Sequence, residues 1–313
     1  MASAEPTIVT EGLAFPEGPV AMADGSVIVT EIKTGMLTRV APDGTKSTVA
    51  DVGGGPNGLA IGADGALYVC NNGGFIWTDM AGMNIPVGPN GVSQLPDHTG
   101  GSIQRVDIST GDVTTLYTEC DGNRLNGPND IVVDKDGGLW FTDLGKTRER
   151  DADRGFVYWA KPDGSAIKQI AVGGTGYNGI GLSPDGARLY SVETSAGHLF
   201  AWDITGPGEV TGGNPLTGGG IFLGHGPVHA LFDSLAIEAN GNIAVATLLT
   251  GPGITVFNPD GQIVDHVEMP DPMPTNICFG GDDMQTAHVT LSAMGKLARI
   301  DWPRPGLKLN FNS

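Results

Sequence analysis

Cysteine is scarce in this chain: three residues in 313, Cys70, Cys120 and Cys278. An odd, sparse count argues against a disulfide framework and for a reducing compartment, the cytoplasm. Their spacing matches no zinc motif, so they read as packing thiols. Basic residues are also few, 17 Lys and Arg against 35 Asp and Glu, for a formal net charge of −18. A nucleic-acid binder needs a basic face to displace counterions, and no Lys/Arg cluster exists here. The same deficit disfavours an anionic membrane surface. No run of about eighteen apolar residues is present, so no helix is expected to span a membrane. Met1–Pro6 has neither a basic start nor an apolar run and reads as no export signal. The acidity serves solubility or attracts cations, and composition alone leaves both open.

Glycine, by contrast, is abundant: 50 Gly with 21 Pro, together roughly a quarter of the chain and near the level of disordered segments. Hydrophobic residues nonetheless make up 40%, and valine, isoleucine and leucine recur throughout, which low-complexity chains do not show. The glycines therefore mark turns. A single pattern recurs six times: a small polar residue, an apolar stretch, an Asp-Gly-type turn and a second apolar stretch. The turns are Asp24-Gly25, Asp64-Gly65, Asp136-Gly137, Asp185-Gly186, Asn240-Gly241 and a degenerate Asp282-Asp283. Most repeats add another hairpin, as at Asp43-Gly44, Thr110-Gly111, Asp163-Gly164 and Asp260-Gly261. Each unit is then four strands, and six units average about 52 residues, within the range of propeller blades. The predicted fold is an all-β, six-bladed β-propeller forming one domain over 1–313. Thr7–Thr10 is expected to close the ring by completing the sixth blade.

One slot lies eight residues before the second turn residue of each repeat. The slots hold Glu17, Asn57, Asn129, Asn178, Asp233 and Thr275. Each opens the innermost strand of its blade, so all six converge on the axis at one end. Crowded carboxylates in a desolvated funnel are costly unless a cation neutralises them. Oxygen-only donors suit a hard ion such as calcium or magnesium. Asn and Asp also form turns before strands, which explains the amides but not Glu17.

Strand direction puts the long connections on the same face as the slots. The longest, 73–100, carries Phe75, Ile76, Trp77, Met80, Met83 and Ile85. It reads either as a substrate lid or as a packed insertion. Other candidates on this face are Arg124, Asn126 and Asp130 beside the third slot, and His225 and His229 before the fifth. No Gly-x-Ser-x-Gly elbow and no phosphate-binding loop with its Lys occurs.

Phe15-Pro16-Glu17-Gly18-Pro19, Arg124-Leu125-Asn126-Gly127-Pro128-Asn129-Asp130, Tyr177-Asn178-Gly179-Ile180 with Ser183-Pro184-Asp185-Gly186, and Phe279-Gly280-Gly281 together resemble the gluconolactonase/regucalcin/luciferin-regenerating-enzyme family, over nearly the whole chain. The resemblance implies a six-bladed propeller with a divalent metal, usually calcium, on its axis. Many members hydrolyse sugar lactones, and the related diisopropylfluorophosphatases hydrolyse phosphorus–fluorine bonds. Carried over by position, the metal ligands fall on Glu17, Asn178 and Asp233, with Asn129 as ligand or substrate contact. Arg124 and Asn126 fall near substrate-binding positions, and Trp77 of the long loop joins them as an expected apolar contact. The fifth slot departs from the family's usual Pro-Asp-Gly, reading Phe232-Asp233-Ser234, and the 73–100 loop is not a constant family feature.

The expectation is a divalent-metal-dependent hydrolase that opens a lactone or similar cyclic ester. The metal acts as Lewis acid, with calcium first and magnesium, manganese or zinc as alternatives. Water attacks, with Asp233 or Asp130 as general base and His229 as a further candidate. Alternatives are a P–F-type organophosphate hydrolase on the same site, a lyase or isomerase, and a non-catalytic, metal-stabilised binding propeller. The expected partner is a small lactone or ester, with oligomer contacts, if any, through the loops around the slots.

Overall fold

The computed structural model describes residues 5–312. The Met1–Pro6 reading falls mostly outside them. Turn glycines and β-branched runs give an almost purely β structure, whose one short helical turn among the described residues is Pro89–Gly91. Six sheets form the predicted six-bladed propeller, each numbered here from its inner strand. Blade 1 is Pro16–Ala21, Val27–Glu31, Met36–Val40 and Lys46–Asp51. Blade 2 is Pro56–Ile61, Leu67–Asn71, Ser102–Val106 and Val113–Tyr117. Blade 3 is Pro128–Val133, Leu139–Asp143, Phe156–Ala160 and Ile167–Val172. Blade 4 begins Tyr177–Leu182, Arg188–Glu193, His198–Gly206. Its outer strand is broken in two: Glu209–Thr211 and Ile221–His225 both pair with His198–Gly206. Blade 5 is Leu231–Ile237, Ile243–Leu248, Gly253–Phe257 and Ile263–Glu268. Blade 6 is Pro274–Gly280, Thr286–Leu291 and Lys296–Asp301, completed by Thr7–Glu11, which pairs antiparallel with Lys296–Asp301. The ring closes by the N-terminal strand, as its sequence pattern predicts.

A single blade cannot cover both its faces, and burial between blades solves this. One apolar cluster sits at each of the six blade interfaces, for example Tyr68, Ile103, Ile131 and Phe141 between blades 2 and 3. Side-chain bonds from strand to neighbouring slot tie the inner ring. Thr30 donates to the Asn57 carbonyl at 2.7 Å and Thr142 to the Asn178 carbonyl at 2.5 Å. At Gly18 (φ +49°) blades 1 and 2 approach closely: a Cβ there would lie 2.4 Å from the Asn57 carbonyl oxygen.

The ring encloses an axial cavity of about 340 Å³, with Asp130 and Asn276 on its lining and the C-terminal segment Leu307–Asn310 across its far end. That segment is held under the ring by Glu238, which is fully buried. Glu238 accepts bonds from Trp302 Nε1 at 2.8 Å, Arg304 Nε at 2.7 and 2.8 Å, and Asn242 Nδ2 at 2.8 Å. The sequence pattern stops at Ile300 and does not foretell this strap.

The 73–100 segment packs over the slot face. It holds a small ribbon, Thr78–Met80 against Met83–Ile85. Phe75 is buried with Phe15, Ile32, Leu248, Met273 and Ala293, and Trp77, Met83 and Ile85 lean on that cluster. Met80 is the exception, 56% exposed.

Candidate active site

Every inner strand is irregular at its slot. Register shifts fall between Glu17 and Val20, Pro56 and Leu59, Pro128 and Ile131, Tyr177 and Ile180, Phe232 and Leu235, and Pro274 and Asn276. A bulge re-aims side chains that a regular ladder would send into the neighbouring blade. Phe15, two residues before Glu17, adopts a left-handed backbone (φ 59°) that is unfavourable for a bulky residue. Its ring meets Trp77 of the long segment, centroids 5.1 Å apart.

Glu17, Asn57, Asn129, Asp130 and Asn178 are buried, while Asp233 keeps partial exposure. Glu17 Oε2 accepts bonds from the Gly18 amide at 2.8 Å and Asn276 Nδ2 at 2.9 Å. Asn178 Nδ2 donates to Thr194 Oγ1 at 3.0 Å, which leaves its Oδ1 without a partner; Asn129 Oδ1 is also buried and unpartnered. Asp130 Oδ1 accepts the Ile131 amide at 2.9 Å, and Oδ2 the Ile180 amide at 3.3 Å. Thr275, the sixth slot, shares hydrogen bonds with the hydroxyls of Ser292 and Thr290 at 2.5 and 3.0 Å.

The electrostatics follow from burial. Desolvation raises the Glu17 carboxyl, with hydrogen bonds from Asn276, Gly18 and Thr275 opposing it. Burial, then the charge of Glu17, lifts Asp130 to about 8. The same two causes push Asp233 well above the carboxylate range. No Lys or Arg offsets any of the three. Two orphaned carbonyl oxygens beside unneutralised carboxyls form a donor set that a hard cation fits. Among the described residues, no three His, Cys, Asp or Glu side chains form a cage on their own, so a cation here would need the amide oxygens as well.

The other sequence candidates have different engagements. Arg124 is exposed on a short ribbon, Glu119–Cys120 against Asn123–Arg124, and has no ion pair among the described residues. Asn126 is half-buried and its amide donates to Asp153 at 3.0 Å. His225 and His229 are exposed, with His229 at a left-handed turn (φ 65°). The His229 ring makes no hydrogen bond among the described residues.

Sequence reasoning missed a second polar cluster beside the first. Lys146 is 2% exposed. Its ammonium donates to the Gly74 carbonyl at 2.7 Å and Asn72 Oδ1 at 3.3 Å, and lies 3.7 Å from the centre of the Phe75 ring. Burial pulls its pKa down to about 7, against the attraction of Asp143 and Asp153. Asp143 in turn accepts the amides of Asn126, Gly127 and Gly145, and burial lifts it to about 6. The far end of the long segment is stitched to the same loop, where Thr147 N donates to Ser93 Oγ at 2.9 Å and Arg148 to Gln94 at 3.0 Å. No repeat position announces Lys146. Asn276 was legible, being the residue after the sixth slot.

A family model described as the SMP-30/Gluconolactonase/LRE-like region matches residues 15–293. The chain belongs to this family. It is 22% identical over 295 residues to a gluconolactonase of Zymomonas mobilis, covering 91% of this chain and 78% of that protein. It is 29% identical over 202 residues to the diisopropyl-fluorophosphatase of Loligo vulgaris, covering 61% of this chain and 62% of that protein. The chain spans less than two thirds of several relatives it matches, 59% of a 6-deoxy-6-sulfogluconolactonase of Pseudomonas putida among them. Among solved structures, a gluconolactonase of Xanthomonas campestris superposes with TM-score 0.73 at 23% identity, covering 96% of this chain and 90% of that one, a likeness of fold.

Proposed function

We propose that this protein is a metal-dependent hydrolase that opens a lactone or similar cyclic ester. The observation that carries the reading is the axial mouth, where the buried carboxyls of Glu17 and Asp130, the partly exposed carboxyl of Asp233 and two unpartnered amide oxygens meet with no basic side chain among the described residues to offset them. Glu17, Asn129, Asn178 and Asp233 would hold one divalent cation, and calcium suits an all-oxygen set best. When bound, the cation supplies Lewis-acid polarisation of the substrate carbonyl and the positive charge that keeps the buried carboxylates ionised.

Asp233 is the preferred general base because it retains exposure at the mouth. Both Asp130 oxygens already accept backbone amides, which makes that residue a fixed wall of the site. Asp233 takes a proton from the attacking water as its oxygen bonds to the carbonyl carbon. The ring ester bond then breaks, and Asp233 returns the proton to the departing ring oxygen. Glu17, held by Gly18 and Asn276, fixes the geometry of the mouth. Arg124 is free to meet a polar substituent, and Asn126 orders that loop through Asp153. Segment 73–100 acts as the lid of the same functional unit, with Trp77 as its apolar wall.

Similarity to the squid diisopropyl-fluorophosphatase favours a second reading, P–F hydrolysis at the same mouth. One experiment separates them: a pH-stat panel of aldonolactones, apolar lactones and a P–F ester, run after chelation and after return of calcium, magnesium, manganese or zinc. Lactone turnover restored by a divalent ion supports the proposal. Turnover of the P–F ester alone favours the second reading, and turnover of neither overturns both.

A further inference from the structure

The broken outer strand of blade 4 creates a cavity that the axial site does not use. The halves Glu209–Thr211 and Ile221–His225 leave residues 212–220 arching over the blade's edge. Beneath the arch lies an open cavity of about 740 Å³. Its walls are Tyr177, His198, Phe200 and Phe222, with Leu216 at the arch. The aromatic rings touch one another: His198 to Phe222 at 5.2 Å, Phe200 to Phe222 at 6.0 Å and Tyr177 to Phe200 at 6.0 Å. Phe222 is 52% and Leu216 93% exposed, an expensive arrangement for a plain blade edge.

A carboxylate lies in this apolar wall. Glu193 is 6% exposed. Its Oε1 is occupied, accepting the Gly174 amide at 2.8 Å and the Thr175 amide at 3.2 Å. Its Oε2 makes no hydrogen bond among the described residues; His198 Nδ1, at 3.7 Å, is beyond bonding distance. The Tyr177 hydroxyl is likewise buried without a partner. No Lys or Arg lines the cavity. Arg154 stands outside it and braces its walls, with Nε on the Gly173 carbonyl at 3.0 Å and Nη2 on the Thr217 carbonyl at 3.3 Å.

We infer that this cavity is a second binding site, for a small primary ammonium that carries an apolar group. The ammonium would donate to Glu193 Oε2 and the Tyr177 hydroxyl oxygen. The apolar group would lie against Phe200 and Phe222 under Leu216. A buried carboxylate with one oxygen free of hydrogen bonds, aromatic faces and no Lys or Arg in the lining select positive charge over negative. The cavity is separate from the axial mouth, although Tyr177 adjoins Asn178 and Glu193 adjoins Thr194, the partner of Asn178.

The test is calorimetric titration of the full chain with benzylammonium chloride, benzyl alcohol and benzoate. Benzylammonium is expected to bind about tenfold tighter than benzyl alcohol, the worth of one charge-assisted hydrogen bond, and benzoate not at all. Glu193→Gln keeps an oxygen for Gly174 and Thr175 but removes the charge. It should abolish the preference for the ammonium and leave the alcohol unchanged. Phe222→Ala, at an exposed position, should weaken both. Equal binding of ammonium and alcohol to the wild type overturns the inference, as does an unchanged preference in Glu193→Gln. Should Glu193→Gln fail to fold, the wild-type comparison and Phe222→Ala decide it. A dimer in solution that Phe222→Ala dissociates, with no amine binding, also overturns it.

Discussion

Replacing Lys146 with Met tests whether the root of the 73–100 segment is held by a buried charge. In the fold the ammonium is 2% exposed and its pKa is drawn down from 10.5 to about 7. The unfolded chain therefore binds the proton more tightly between these values. The cost of burying the charge is fully present below pH 7 and is relieved as pH rises toward 10.5. Stability should thus climb with pH across this window, at up to about 1.4 kcal/mol per unit once the folded amine is neutral. From pH 7 to pH 9 the wild type should gain about 2 kcal/mol from this group alone. Lys146→Met cannot titrate, so its curve lacks this gain. The variant also loses the bonds to Gly74 and Asn72 and the contact with the Phe75 ring, which offsets part of the relief. The absolute difference at any one pH is therefore less telling than its change with pH. Urea unfolding of both proteins at pH 7, 8 and 9 measures it, and subtraction removes the tyrosines and cysteines that titrate in both. A wild-type-minus-variant difference that stays flat across these pH values would refute the reasoning.

Glu17→Gln should weaken divalent-ion binding by removing one of the charges at the mouth, whereas Asn57→Ala should weaken it far less; equal losses in equilibrium dialysis would contradict the ligand set. Arg304→Met should cost about 2 to 3 kcal/mol in urea unfolding, because it strips the guanidinium from fully buried Glu238; a change below about 0.5 kcal/mol would mean that Trp302 and Asn242 satisfy the carboxylate alone. Shortening 73–100 to a Gly-Ser turn removes no blade strand and should leave the protein folded, with KM raised or substrate preference altered. Full activity on the best substrate would remove the lid from the account.

The architecture was legible because it is written as a repeat. Six turns at a fixed offset from six polar residues define both the blades and the axis, and Thr7–Thr10 has nowhere to pair except the sixth sheet. The placement of Glu17, Asn129, Asn178 and Asp233 on the inner strands was legible for the same reason, since symmetry repeats a sequence offset around the axis; their role as ligands is a proposal. What breaks the repeat was not legible. Lys146 comes from a connection between strands and meets Asn72 and Gly74 of another blade, a contact fixed by tertiary packing alone. The strap through Trp302, Arg304 and Leu307 follows the last repeat and has no counterpart to be compared with. The split outer strand of blade 4 lies where the sequence offers no second Asp-Gly hairpin, so the pattern is silent there. His229, a chemically suggestive residue near a slot, sits exposed at a turn (φ 65°) whose conformation the repeat does not foretell.

The central claim is that hydrolysis depends on one divalent ion at the axial mouth. The direct measurement is to strip the protein with a chelator, return calcium in fractions of an equivalent, and record bound metal and lactone turnover on the same samples. The account predicts turnover near zero at the start, rising in proportion to bound calcium and levelling at one equivalent. Turnover that is undiminished in the stripped protein, or that stays absent when one equivalent is bound and every lactone of the panel is offered, would contradict it.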